Sequence, residues 1–331
     1  MADWRNIRAH KISTERPDDW PQGVRAIAQE GLALFGINEA TGQLYWDGSQ
    51  VKTRNLLRLG TAERWIAGFA AVGQDVGAAI LSWKSLAFWL LGYPEAALAD
   101  AEQALKIARE IGHSATLMYV LNFGAWTHVH CGNYAAANAL ADEFSALKDQ
   151  SGSLFWAGWG MMQRGCISAL TGKASDAVET ITSGVTAMGS TGTTMWMPLW
   201  LSYLGRANSE IGQFDTARRC IGEALAAVDT AKERWCEAEV NRIAGEIALL
   251  SPEPDAAKAE PYFARALAIA RDQQAKSWEL RAAVSMARLW RHQGRQSEAR
   301  DLLGTVHKWF TEGFDTRDLK EANLLLDELH A

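Results

Sequence analysis

The stretch IGQFDTARRCIGEALAAV, Ile211–Val228, decides the fold. Gly212 closes one helix, at a position that favours a residue free to take the left-handed conformation. Asp215 opens the next helix, where a carboxylate suits the unpaired N–H groups of a first turn. Ala217 and Ala224 lie seven residues apart on one face of that helix. Their small side chains let a neighbouring helix come close, so this stretch reads as half of a helical hairpin.

The chain repeats it. Gly92, Gly132, Gly172 and Gly212 stand 40 residues apart, as do Ala97, Ala137, Ala177 and Ala217. The small residues Ser85, Ala125, Gly165 and Gly205 keep the same step, and Gly112, Gly152 and Gly192 punctuate the links between units. Self-similarity at such a period marks stacked helical repeats, in which each unit hides its apolar face against its neighbours.

Composition agrees. Hydrophobic residues make up 48% of the 331, ample for a core, and the 22% of charged residues with a net charge of −6 describe an ordinary soluble protein. Mild acidity argues against sequence-independent nucleic-acid binding, which needs concentrated Lys and Arg. The 15 tryptophans are expected mainly between helices, with a few on a binding surface. Cys131, Cys166, Cys220 and Cys236 form no CxxC pair, which suggests reduced thiols in a cytoplasmic protein. The opening MADWRNIRAHKISTERPDDW lacks the apolar run of a signal peptide. The most apolar window, Trp65–Leu81, is interrupted by Gln74 and Asp75 and is short for a membrane span, so a buried first helix is expected there.

Residues 1–60 lie outside the repeat and form an N-terminal extension. Pro17–Leu34 is expected to hold a short helix, and Gln43–Thr53 a β-hairpin turning at Asp47-Gly48. From 61 to 331 the periodicity predicts six hairpins: Asp75–Leu91 with Pro94–Ile111, His113–Cys131 with Tyr134–Lys148, Ser153–Leu170 with Ala174–Met188, Thr193–Ile211 with Phe214–Thr230, Glu233–Leu250 with Ala256–Asp272, and Ala275–Gln293 with Ser297–Trp309. In the fifth, SPEPD (Ser251–Asp255) replaces the usual Gly and stretches the alanine step to 42. A last helix, Thr316–His330, offers Arg317, Asp318, Lys320, Glu321, Asp327 and Glu328 as the polar face a terminal unit needs.

The spacing G-x-[YF]-x-x-A with a second Ala seven residues on resembles the tetratricopeptide repeat, in GQFDTARRCIGEAL and GYPEAALADAEQAL above all. The resemblance implies an all-α, right-handed superhelical solenoid of TPR-like hairpins. Residues 82–331, and most specifically the ending GFDTRDLKEA, resemble the C-terminal repeat arrays of bacterial class III nucleotide cyclase–ATPase fusion proteins. That resemblance implies a regulatory or sensor array rather than a catalytic part. Within these 331 residues no cyclase or NTPase domain is expected. The nearest thing to a phosphate loop, GCISALTGKA (Gly165–Ala174), has Ile167 where the first Gly belongs and Ala174 where Ser or Thr belongs.

Other catalytic patterns are missing as well. His128, His130 and Cys131 cluster at a helix end, but residues two apart on a helix diverge and no fourth zinc ligand is near in sequence, so a partly exposed helix end is the expectation. No G-x-S-x-G element marks a nucleophile. No catalytic residue, metal or cofactor is therefore assigned.

In tetratricopeptide arrays the first helix of each hairpin lines the concave face. Transferring that register places Tyr119, Asn122 and Trp126 there from the second hairpin, and Trp159 and Met162 from the third. Leu199, Ser202 and Arg206 follow from the fourth, Glu239, Arg242 and Glu246 from the fifth, and Arg281, Arg288 and Arg291 from the sixth. The expected groove is aromatic at its N-terminal end and charged at its C-terminal end. It suits a protein or peptide segment with an acidic end, since Arg reads carboxylates through paired hydrogen bonds. The sequence therefore predicts a non-enzymatic scaffold or sensor module in bacterial signal transduction. A small-molecule sensor with the Trp-rich face around an apolar ligand, working with a separate cyclase or NTPase, is the alternative. Homo-oligomerisation stays open.

Overall fold

The structure, a computed structural model, describes residues 4–9, 34–37, 44–47, 49–50, 75–151 and 153–330. It divides into two units, residues 1–79 and 80–331.

In the first unit, α1 spans Trp4–Ala9, and β1 (Phe35–Ile37), β2 (Leu44–Trp46) and β3 (Ser49–Gln50) form one antiparallel sheet in that order. Tyr45 faces Gln50 and Trp46 faces Ser49, so β2 and β3 are the expected hairpin. Asp47 has φ 48°, the left-handed conformation that a two-residue hairpin turn requires. β1 lies outside the expected hairpin, and its Phe35 pairs with Trp46. The helix expected within Pro17–Leu34 lies outside the described residues apart from Leu34, itself a turn. Residues 65–74 of the apolar window and the 60/61 boundary also lie outside them.

The repeat begins with α2, Val76–Leu90, which Asp75 caps by accepting the Ala78 N–H at 2.7 Å. Then follow α3 (Pro94–Ile111), α4 (Ser114–His130), α5 (Tyr134–Ser151), α6 (Leu154–Leu170), α7 (Ala174–Ser190), α8 (Met197–Glu210) and α9 (Phe214–Ala231). The series ends with α10 (Glu237–Leu250), α11 (Ala256–Asp272), α12 (Lys276–His292), α13 (Gln296–His307) and α14 (Arg317–His330). These are the six expected hairpins and the terminal helix, an all-α right-handed superhelical solenoid of TPR-like units. The repeated alanines are the contact points: Ala97, Ala137, Ala177, Ala217, Ala259 and Ala299 are all fully buried.

Two starts differ from the periodicity. Helices α8 and α10 begin at Met197 and Glu237, each four residues later than Thr193 and Glu233. Trp196 (φ 60°) takes left-handed backbone immediately before α8, whereas ahead of α10 the left-handed residue is Lys232 (φ 55°), which ends α9. Glu233 then caps α8 from the next hairpin, accepting the Trp196 N–H at 2.7 Å.

Curvature follows from which helices touch. Successive first helices α6, α8, α10, α12 and α14 pack on one another, and among the described residues no comparable packing joins successive second helices. The first helices therefore form the inner wall. The curvature is tight enough that the array meets itself. The Ser277 hydroxyl donates to the Trp89 carbonyl, 188 residues away. Glu312 Oε1 accepts the Glu95 and Ala96 N–H groups at 2.9 and 3.1 Å, and Glu95 returns the contact by accepting the Gly313 N–H at 2.8 Å. Gly92 lies so close to the sixth hairpin that a Cβ there would stand 2.5 Å from the Trp309 ring and 2.9 Å from Lys276 Cβ. Across residues 80–331 the solenoid thus closes into a single turn with a seam between its ends.

Closure corrects two expectations. His130 and Cys131 are not a partly exposed helix end: both are buried, in the core that the seam completes. The polar face of α14 is not wholly solvated either. Asp318 meets Arg281 and Glu321 meets Arg288 across the inner wall.

Candidate functional site

The inner wall carries two chemically distinct parts. The first is a column of rings along the superhelix axis. Tyr119 leans on Phe123 (4.5 Å between centroids), Trp126 meets Trp196 edge-on (5.2 Å) and Trp196 reaches Trp235 (4.9 Å). Trp159 abuts Trp200 (5.1 Å), while His130 stacks on Trp89 (4.3 Å), which in turn abuts Trp278 (4.6 Å). Aromatic pairs at such spacings add to the burial of their large faces. Trp126, Trp159, Trp200 and Trp278 are fully buried.

This is where the structure places the N-terminal half of the expected groove. Tyr119, Asn122, Trp126, Trp159, Met162, Leu199 and Ser202 do sit on inner helices, and all are buried. Because the array closes on itself, these side chains fill the axis. Asn122 is engaged from the next repeat, accepting the Gln163 amide through its carbonyl at 2.9 Å. The cavity beside Trp89 and His130 measures about 10 Å³, room for at most one water.

The second part is a polar cleft of about 150 Å³ on the C-terminal side. It is lined by Arg206, Glu239, Arg242, Glu246, Arg281 and Arg288, all from the expected charged end. The expectation missed Tyr134, Ser285, Arg317, Asp318 and Glu321, which also line it. Arg291 is not among the lining residues; it pairs with Glu328 farther along α14.

The cleft is a lattice of ion pairs. Arg242 grips Glu239 through two nitrogens, at 2.7 and 2.8 Å, and also reaches Glu246. Burial works against the charged form of Glu239, yet Arg242, Arg281 and Arg206 together hold its carboxyl down at about 2. Burial also pushes the Asp318 carboxyl up, opposed by Arg281 at 2.7 Å. Arg206 pairs with Glu210 at 3.1 Å, and Arg288 with Glu321. Arg317 differs. It donates to the Tyr134 hydroxyl at 2.6 Å and lies over that ring, and it has no carboxylate within ion-pair distance among the described residues. Arg288, Arg317 and Glu321 also line an adjoining cleft of about 550 Å³. That second cleft runs along the seam beside Gly132, Asn133, Lys320 and the exposed Leu324.

The rest of the chemistry is subdued. Burial, with Arg281 beside it, drives the His130 imidazole down to about 3, so it is neutral near pH 7. Burial pushes the Cys131 thiol up to about 12 and those of Cys166 and Cys236 well above the usual range. Among the described residues, no helix is long and apolar enough to cross a membrane.

No family model matches the sequence, and no curated protein matches it. Among solved structures, the chain is similar to the crystal structure of the apo form of RapI, with TM-score 0.53 and 12% identity over 81% of this chain and 91% of that one. It also aligns with the apo form of the quorum sensor NprR from B. thuringiensis (TM-score 0.41, 14% identity, 76% of this chain and 81% of that one). A third is the TPR2AB-domain:pHSP90 complex of yeast Sti1 (TM-score 0.33, 10% identity, 77% and 98%). At 12% identity the likeness to RapI is one of fold.

Proposed function

We propose that residues 80–331 are a non-enzymatic binding module, a scaffold or sensor in bacterial signal transduction. Its ligand is a protein or peptide segment held through acidic side chains in the seam cleft. The observation that carries this reading is Arg317. Arg206, Arg242, Arg281 and Arg288 each already hold a carboxylate, whereas Arg317 presents its guanidinium to the cleft against a neutral phenol. A planar donor fork of this kind suits a bidentate carboxylate. The exposed Leu324 beside it offers an apolar contact for the neighbouring residue of the segment.

The alternative, an apolar small molecule enclosed by tryptophans, has less support, because the rings occupy the axis themselves. In that alternative the array works with a separate nucleotide cyclase or NTPase.

Fluorescence polarisation with matched Glu-rich and Lys-rich peptides tests the reading. The acidic peptide is expected to bind, to weaken as salt rises, and to lose about tenfold affinity in Arg317→Glu and in Arg288→Glu. Equal binding of the two peptides, or indifference to both substitutions, would sink it.

A further inference from the structure

The linker that breaks the period leaves a groove on the outer surface. Between α9 and α11, beside Ser251–Asp255, lies a depression of about 530 Å³. Its floor is apolar: Ile221 and Leu225 from α9, with Ala244, Ile247 and Ala248 from α10. Gly222 stands in its α9 wall, exposed, and a Cβ built there meets no atom within 4 Å. Along α9 the lining runs from Arg218 to Leu225, two turns or about 10 Å of helix.

The rim carries charge on both long sides. Arg218 stands on α9 and Lys258 on α11. Lys258 is exposed and its ammonium has no ion-pair partner among the described residues. Arg218 pairs with Asp215 in a contact open to solvent on both sides, 52% and 97% exposed, the kind that exchanges easily. Asp255, also in the lining, caps α11 by accepting the Lys258 N–H at 2.8 Å. Glu253 closes the linker end.

We propose that this groove docks an acidic amphipathic helix of a partner protein. Two apolar side chains one turn apart rest on Ile221, Leu225 and Ile247, and carboxylates on either flank meet Arg218 and Lys258. The partially positive start of the docked helix points toward Glu253. The α9–α11 gap then receives a helix much as the gaps inside the array do, ridge into groove. This surface shares no residue with the seam cleft, so the two readings stand or fall separately.

The test uses the full chain and two fluorescent helical peptides of three turns. Each has leucines one turn apart, flanked by glutamates in one peptide and by lysines in the other. The glutamate peptide is expected to bind about tenfold more tightly than the lysine peptide, to lose about tenfold in Gly222→Trp, and to keep its affinity in Arg317→Glu. Gly222→Trp fills open space, and circular dichroism checks that it folds. Lys258→Glu, at an exposed position, supplies a second variant and is expected to reverse the preference between the peptides. Three results overturn the proposal: unchanged binding by Gly222→Trp, no discrimination between the peptides, or self-association in sedimentation that Gly222→Trp abolishes. The last would assign the groove to a second copy of the chain.

Discussion

Arg281 of α12 donates to the backbone carbonyl of His130 at 2.9 Å, although 151 residues separate them. The same guanidinium lies 5.1 Å from the ring centres of both Trp89 and Trp278 and pairs with Asp318 at 2.7 Å. One side chain therefore ties α2, α4, α12 and α14 together at the point where the solenoid meets itself.

Removing that tie leaves buried carboxylates short of a partner. Arg281→Met is expected to cost about 3–5 kcal/mol in urea unfolding, because Asp318 and Glu239 both lose a cation. Adding Asp318→Leu to it should recover part of the loss, since apolar replacement of both partners is far cheaper than breaking one. A double variant no more stable than Arg281→Met would mean that the cation–π contacts, not the ion pair, hold the seam.

His130 makes the fold sensitive to acid. Its imidazole is held down at about 3 by burial, against 6.5 for an exposed one. Between those values the unfolded chain binds a proton that the folded chain refuses. Stability is therefore intact above about pH 6.5 and falls as pH drops toward 3, with a limiting slope of about 1.4 kcal/mol per pH unit. Glu239 adds a further loss below 4.5, the value from which its arginines depress it. Neither His130 ring nitrogen has a hydrogen-bond partner among the described residues. His130→Phe keeps the stack on Trp89 and removes both the titration and the unpaired nitrogens. It should match or exceed the wild type at pH 7 and flatten the decline between pH 6.5 and 5. Parallel pH profiles for the two proteins would exclude His130 as the cause.

The hairpins were legible because their signals are local. A glycine past most of the helices and a small residue at the recurring close contacts repeat within one unit, and the expected Pro94–Ile111 matches α3 end for end. The late start of α8 was not legible, since nothing in the sequence marks Trp196 for left-handed backbone that such a residue seldom adopts. Closure was not legible either. The residues that make it, Glu95 with Gly313 and Tyr134 with Arg317, are more than a repeat apart and share no spacing. The same blindness explains the site. The repeat register put residues from Tyr119 to Arg288 on the first helices of the hairpins, and that is where they lie. Whether the inner wall is open depends on how far the array curls, and no single unit encodes that. Arg317 and Asp318 stood within the most specific part of the sequence, GFDTRDLKEA, yet a terminal helix gave no sign that its polar face looks inward.

The four thiols should be inert in the folded protein. Cys131, Cys166, Cys220 and Cys236 are buried, and burial raises the pKa of each. A thiol reacts as its thiolate, so both access and ionisation oppose labelling. An aromatic disulfide reagent at pH 8 is expected to modify none of them within minutes and all four in denaturant. Rapid native labelling of Cys131, which lies at the seam, would show that the seam opens on that timescale.

The glycines separate backbone strain from closure. Gly212 (φ 80°) has nothing within 4 Å of a built Cβ, so Gly212→Ala bears only the cost of left-handed backbone, about 1–2 kcal/mol. Gly92 (φ 90°) carries the same backbone cost, but its Cβ would strike Trp309 and Lys276 across the seam. The Lys276 Cβ is fixed to the α12 backbone, so relieving that contact moves the first hairpin away from the sixth. Gly92→Ala should therefore be the more destabilised of the two in urea. It alone should enlarge the radius of gyration in small-angle scattering and speed the labelling of Cys131, because the core around Cys131 includes Trp89 and Trp278 from the two sides of the seam. If both variants lose the same stability and keep the same radius, the seam yields freely and closure adds little to the fold.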